Sequence, residues 1–222
     1  MFKQKLIIVG TNPLAEIAYE YFTHDSDYNV VGFSVEGKFM KEYQFLSIPL
    51  IAFENLEMFY NPQDHSVFVA LGYGHMNQDR TRVWKEAKKK GYGIASYISF
   101  NAFVWKNAKI GEHCFIFENN VIQPFVEIGN NTIMWSGNHI GHHSKIGNNC
   151  FLSSHVVVSG LCKIGNNCFF GVNSTIANGL SVGDFCVIGA AANLTKDALP
   201  NKLYVGNPAR GIKGTDEMAE IR

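Results

Sequence analysis

From Ile98 onward an apolar residue recurs at every sixth position: Ile98, Val104, Ile110, Ile116, Ile122, Ile128, Met134, Ile140, Ile146, Leu152, Val158, Ile164, Phe170, Ile176, Val182, Ile188 and Leu194. The register never breaks. A second class, mostly small, runs four residues behind it from Ala108 to Ala192. It contains all five cysteines: Cys114, Cys150, Cys162, Cys168 and Cys186. Neither a helix nor an ordinary strand has a period of six. A longer repeat lies over it, since Ile110-Gly111, Ile128-Gly129, Ile146-Gly147, Ile164-Gly165 and Val182-Gly183 are eighteen apart. Eighteen is three sixes. The pattern predicts a triangular coil with one short strand per side, aliphatic residues inward and small residues beside the corners. Gly and the pairs Asn130-Asn131, Asn148-Asn149 and Asn166-Asn167 suit corners that need positive φ. Each coil buries its ends only against its neighbours, as in other solenoids.

Before residue 98 the period changes. Leu6 to Val9 reads as a strand ending at Gly10, followed by a helix from Leu14 to Phe22. Tyr28 to Phe33 and Val67 to Leu71 read as further strands, with a helix from about Gln78 to Lys90. Strands alternating with helices predict a small Rossmann-like α/β domain. Its ligands belong beyond the strand carboxyl ends, at Gly10-Thr11-Asn12, Ser34-Val35-Glu36 and Gly72-Tyr73-Gly74-His75. No GxGxxG is present, which disfavours a dinucleotide cofactor. The expected boundaries are 1–97 for the α/β domain, 98–200 for the coil domain and 201–222 for a tail. Thr215 to Arg222 is expected to form a short helix over the last open coil.

Composition narrows the function. Lys plus Arg and Asp plus Glu both number 19 among 222 residues, so no basic field offers itself to nucleic acid or anionic lipid. No apolar run reaches the ~20 residues that cross a bilayer. The N-terminus lacks a signal-peptide pattern, and the expectation is a cytoplasmic protein. The cysteines form no CxxC pair and read as reduced core residues.

Four of the eight histidines fall close together: His139, His142, His143 and His155. Counting from the inward Ile140, His142 and His143 point off the prism. A histidine titrates near neutrality and can accept a proton from an attacking amine or hydroxyl. His142 is the first candidate for a general base, with the other three as site residues. A zinc site built from histidines across a subunit interface is the competing reading.

These features together resemble the PglD/NeuD-type bacterial sugar acyltransferases over residues 5–210. The resemblance implies a left-handed parallel β-helix of hexapeptide repeats behind a nucleotide-sugar-binding domain, assembled as a homotrimer. It implies acetyl transfer from acetyl-CoA, as co-substrate and without a metal, to an amino group of a nucleotide-linked deoxysugar in surface-glycan or O-antigen synthesis. Ile140-Gly141-His142-His143-Ser144-Lys145-Ile146-Gly147 looks like the family motif Ile-x-His-(Glu/Asp)-x-x-Ile-Gly. His142 falls on the catalytic base, and His143 on its acidic neighbour, a departure. Gly160, Val172 and Ala190 match positions whose backbone meets coenzyme A. A histidine that meets the acetyl group in one branch falls at Phe151, and His155 is expected to substitute for it. Gly10, Asn12, Glu36, Gly72, Asn138 and His139 fall to the sugar nucleotide. A sugar O-acetyltransferase and a non-catalytic trimeric scaffold remain as alternatives.

Overall fold

The computed structural model describes residues 4–215. They divide into two compact units: residues 4–72 with 79–97, and residues 73–78 with the chain from 98 onward. No helix among the described residues is long and apolar enough to cross a membrane.

The first unit is a sheet flanked by helices. Its elements are β1 (Gln4–Val9), α1 (Pro13–His24), β2 (Tyr28–Val35), β3 (Gln44–Phe45), β4 (Ile48–Ala52), α2 (Leu56–Phe59), β5 (His65–Val69), α3 (Gln78–Lys89) and β6 (Gly93–Ile94). The strand order is β3-β4-β2-β1-β5-β6, parallel except for the β3–β4 pair. The central β1 reads as a continuous apolar run because both faces are covered; Leu6, Ile7 and Ile8 are fully buried. Helix α1 starts where Asn12 caps it, its side chain accepting from Leu14 N and Ala15 N, with Pro13 in the first turn. Its buried face is Leu14, Ala15, Ala18 and Phe22. The β3–β4 hairpin was not expected. It lies in a stretch that shows neither alternation nor a helical period.

The second unit is a left-handed parallel β-helix. Two-residue strands stack on three faces, each pairing with the strand eighteen residues on. One face runs Phe115, Ile133, Phe151, Phe169, Val187. The next runs Phe103, Val121, His139, Val157, Thr175, Asn193. The third runs Lys109, Glu127, Lys145, Lys163, Ser181. The expected inward residues from Ile116 to Leu194 are buried and form one core cluster with the cysteines. Ile98, at the open first coil, is 41% exposed instead.

Every sixth residue from His113 to Ala191 turns a corner with positive φ. Gly takes that position only at Gly137 and Gly179; elsewhere it is Asn, His, Phe, Leu or Ala. The corner before the first face explains the Gly-Asn-Asn repeat. A methyl group at Gly129 would lie 2.6 Å from the Gly147 carbonyl carbon, so only glycine lets successive coils stack. The first asparagine of each pair accepts from the coil before, as in Asn130 N to Asn148 Oδ1 (2.9 Å) and Asn148 N to Asn166 Oδ1 (2.9 Å).

The chain end departs from expectation. Lys202–Val205 extends the first face and Arg210–Gly214 folds back antiparallel on it. A hairpin therefore stands where only a tail was expected. The proposed helix falls, beyond Thr215, outside the described residues. Thr215 itself is tied down, its Oγ1 donating to Phe185 O at 3.0 Å.

Candidate active site

His142 and His143 form the corner between the second and third faces. Backbone bonds to both neighbouring coils hold it. His143 N donates to Pro124 O (3.0 Å), and His142 O accepts from Leu161 N (2.9 Å). His142 N donates to the Gln123 side chain (2.8 Å). Both side chains are exposed. Their Nδ1 atoms are 3.1 Å apart, and the rings meet edge to face at 86°. His143 occupies the left-handed corner position (φ 59°) and stacks on Phe125, with centroids 4.5 Å apart and planes at 27°. The Nε2 edge of His142 lies over Gly160 on the next coil. The arrangement can hold a basic nitrogen at a surface edge, backed by a second imidazole.

The other two histidines are placed differently. His139 sits outward on the second face between Val121 and Val157, half-buried. His155 turns the other corner, between the first and second faces, with φ 59°. Its ring covers Gly137, where a methyl group would lie 2.5 Å from Nδ1. His155 N donates to Ser136 O, and the Ser136 hydroxyl donates to the Glu118 carboxylate at 2.5 Å. Val172 and Ala190 lie exposed on this same corner on successive coils, linked by Ala191 N to Val172 O (2.8 Å). His155, Val172 and Ala190 therefore share one edge of the prism, and His142, His143 and Gly160 another.

Asn138 is not brought to the surface. It is fully buried, donating to Trp135 O at 2.5 Å and accepting from Val156 N at 2.7 Å. A fully buried side chain that holds two coils together in this way is out of reach of a ligand outside the prism.

Phe151 is buried and stacks on Phe169, with centroids 5.6 Å apart and planes at 16°. The ring of Tyr73 meets both edge-on, at 5.0 and 4.8 Å. The Tyr73 segment belongs to the second unit, and His75, Met76 and Asn77 are all left-handed. Three consecutive non-glycine residues of this kind mark a backbone held by its surroundings. The sequence marks Gly72 to His75 as a loop beyond a strand end, but not that residues 73–78 group with the second unit, because that depends on contacts distant in sequence.

In the first unit, the loops after β1, β2 and β5 are fixed at their bases. Gly10 has φ 135°, and a methyl there would lie 2.8 Å from Ala70 O. Asn12 Nδ2 donates to the same carbonyl at 3.0 Å while its Oδ1 caps α1. Glu36 binds Arg82 at 2.8 Å and Lys38 at 3.6 Å, and the Arg82 guanidinium holds its carboxyl below the usual range. Gly72 faces open space on its Cβ side, and its carbonyl accepts from the fully buried Arg80 at 2.7 Å. Arg80 is a residue the sequence reading did not single out. An arginine in a polar helix reads as surface until its loop is known.

Comparison with known proteins matches the hexapeptide repeat of succinyl-transferase at residues 162–196 and the bacterial transferase hexapeptide (six repeats) at residues 107–142. The repeat is the hexapeptide type. Comparison with curated proteins by sequence gives no match. Among solved structures, PerB from Caulobacter crescentus in complex with CoA and GDP-perosamine superposes with a TM-score of 0.84 at 22% identity, covering 94% of this chain and 97% of that one. The acetyltransferase domain of PglB from Neisseria gonorrhoeae gives 0.83 at 20%, covering 94% and 100%. WeeI from Acinetobacter baumannii gives 0.62 at 17%, covering 93% and 99%. The likeness spans both units and establishes the shared fold.

Proposed function

We propose that the chain is an acyltransferase that moves an acetyl group from acetyl-CoA to the amino group of a nucleotide-linked amino-deoxysugar. The observation that carries this is the corner at His142, an exposed imidazole that faces a glycine from a backbone tied to both neighbouring coils. The reading is supported by what the similar structures bind. PerB was solved with CoA and GDP-perosamine, and the PglB domain with acetyl coenzyme A.

The chemistry follows from the residues. The sugar nitrogen attacks the thioester carbonyl carbon, forming the C–N bond. His142 accepts the proton that nitrogen loses. The tetrahedral intermediate collapses, the C–S bond breaks and the proton passes to the departing sulfur. A backbone N–H beside the thioester stabilises the oxyanion, a kind of contact often worth ~3 kcal/mol or more. We assign the coenzyme to the edge carrying His155, Val172 and Ala190 of one protomer, with the Gly160 backbone reaching it from the His142 edge of a neighbouring protomer. The nucleotide sugar is assigned to the loops at Gly10, Asn12, Glu36 and Gly72, with His139 near the acceptor. The working unit in this reading is a homotrimer in the cytoplasm, serving surface-glycan synthesis.

The test is an acetyl-transfer assay against UDP-, dTDP- and GDP-linked amino sugars, with thiol release and product mass as readouts. An N-acetylated sugar nucleotide supports the reading. Transfer to hydroxyl acceptors alone would make the chain an O-acetyltransferase, and no transfer to any acceptor would refute the assignment.

A further inference from the structure

This inference rests on the acetyl-transfer reading and deepens it at His143. We propose that His143 is a positioning residue that selects the tautomer of His142. Neutral His143 accepts at its Nδ1 a hydrogen bond from His142 Nδ1–H, which leaves His142 Nε2 without a proton and ready to take one from the amine.

The geometry restricts the pair strongly. Two Nδ1 atoms 3.1 Å apart are at hydrogen-bond distance and share one proton between them. The edge-to-face angle of 86° turns the edge of one ring toward the other. His143 is fixed from behind by its stack on Phe125 and by its corner backbone. The His142 backbone is fixed by Gln123 and Leu161, and its ring lies against Gly160. Whichever ring donates at Nδ1, the other must be an acceptor there. If His142 donates, its Nε2, which faces Gly160, is the basic nitrogen. If His143 donates, a neutral His142 carries its proton on Nε2 and cannot act as the base.

A neighbouring carboxylate would accept at any neutral pH. A histidine accepts only while unprotonated. Protonated His143 donates from both nitrogens and drives His142 into the wrong tautomer. The acid side of the activity profile then depends on two protons. Gln123, Pro124, Phe125, Gly160 and Leu161, which contact the pair, are all uncharged. On the same corner strand, Lys145 pairs with Glu127 at 3.1 Å. Asn178, uncharged, approaches the Gly160 side.

The direct test needs no substrate. Nitrogen-15 NMR of the histidine rings near neutral pH should find His142 protonated at Nδ1 and bare at Nε2, with His143 the reverse. The kinetic test uses His143→Asp, an acceptor that tolerates the left-handed corner, and His143→Phe, which matches Phe125 one coil before. His143→Phe should lower kcat by about 10- to 100-fold with KM for acetyl-CoA unchanged, part of the ~10²–10⁴ a positioned base supplies. His143→Asp should keep kcat within a few fold and turn a two-proton acid limb into a one-proton limb. A proton on His142 Nε2 in the neutral protein overturns the proposal, as does wild-type kcat in His143→Phe or equal loss in both variants. If no amino sugar is acetylated, the reaction assignment fails by itself, and the ring nitrogens still decide the tautomer.

Discussion

The Nε2 edge of His142 rests on Gly160 of the next coil, so that a methyl added at Gly160 would lie 2.8 Å from Nε2 and 3.0 Å from Cε1. Gly160 is not among the residues with positive φ, so its backbone accepts alanine. Gly160→Ala should therefore leave the coil folded and displace the imidazole. We expect the melting temperature to shift by only a few degrees while kcat falls about tenfold or more, a 1 Å misplacement being able to cost ~10²-fold. Full activity in this variant would show that the ring need not lie where the structure puts it.

The coil register gives the most severe stability prediction. Ile146 and Ile164 are 3% and 5% exposed and stack on each other. Aspartate at either position buries a carboxylate with no partner, at a cost of several kcal/mol. That is comparable to a domain's whole net stability of ~5–15 kcal/mol. Both variants should fail to give a folded circular-dichroism spectrum. Near-native melting would mean that the side chains do not face inward.

How much of this was readable in advance depends on repetition. The inward aliphatics and the Gly-Asn-Asn corner recur once per coil, so the prism follows from the sequence. The left-handed φ at His143, His155 and Phe125 does not, because those residues lack the chemistry of a turn and take the conformation from their place in the coil. Asn138 shows the same limit. It looks like a site residue beside His139, yet four residues behind Met134 it is a small-class position and turns inward. The loop at Tyr73 and the buried Arg80 depend on contacts distant in sequence, which no local pattern reports.

The five thiols are buried and each reaches a backbone carbonyl, as Cys162 reaches Ala177 O at 3.2 Å. Burial pushes the Cys162 and Cys186 thiols up, and at Cys168 the hydrogen bond with Cys150 does so first, with burial adding to it. The thiolate is the reactive form. Titration with a thiol reagent at neutral pH should find almost none reactive in the native protein and five after denaturation. Rapid native labelling at two or more sites would contradict the packing.

The Glu36–Arg82 pair predicts a pH effect in the first unit. The hydrogen bond from Arg82 holds the Glu36 carboxyl below its ordinary value. A carboxylate of this kind stabilises the fold above its unfolded value and loses that contribution as pH falls through the lowered one. Both side chains are partly exposed, so the contribution is about 0.5–1 kcal/mol. Arg82→Gln should melt a few degrees below wild type at pH 7, and the gap should close toward pH 3. A gap that persists in acid would assign the effect to lost packing.

Removing the base decides the most. His142→Asn should lower kcat by about 10²–10⁴ at neutral pH, the range a positioned proton acceptor supplies. The fold should survive, because the corner is held by backbone bonds to Pro124 and Leu161 that the side chain does not make. KM for acetyl-CoA should change little if the coenzyme lies along the His155, Val172 and Ala190 edge. The defect should shrink as pH rises, since more of the sugar amine arrives as the neutral nucleophile and solvent base can take up the one proton it loses after attack. His155→Asn is expected to act the other way, raising KM for acetyl-CoA and leaving the pH profile in place. Were His155→Asn to abolish turnover while His142→Asn stayed active, the base would belong to the other edge of the prism. Activity surviving in both would mean that the protein brings amine and thioester together without a histidine base, and that proximity and the oxyanion contact account for the rate.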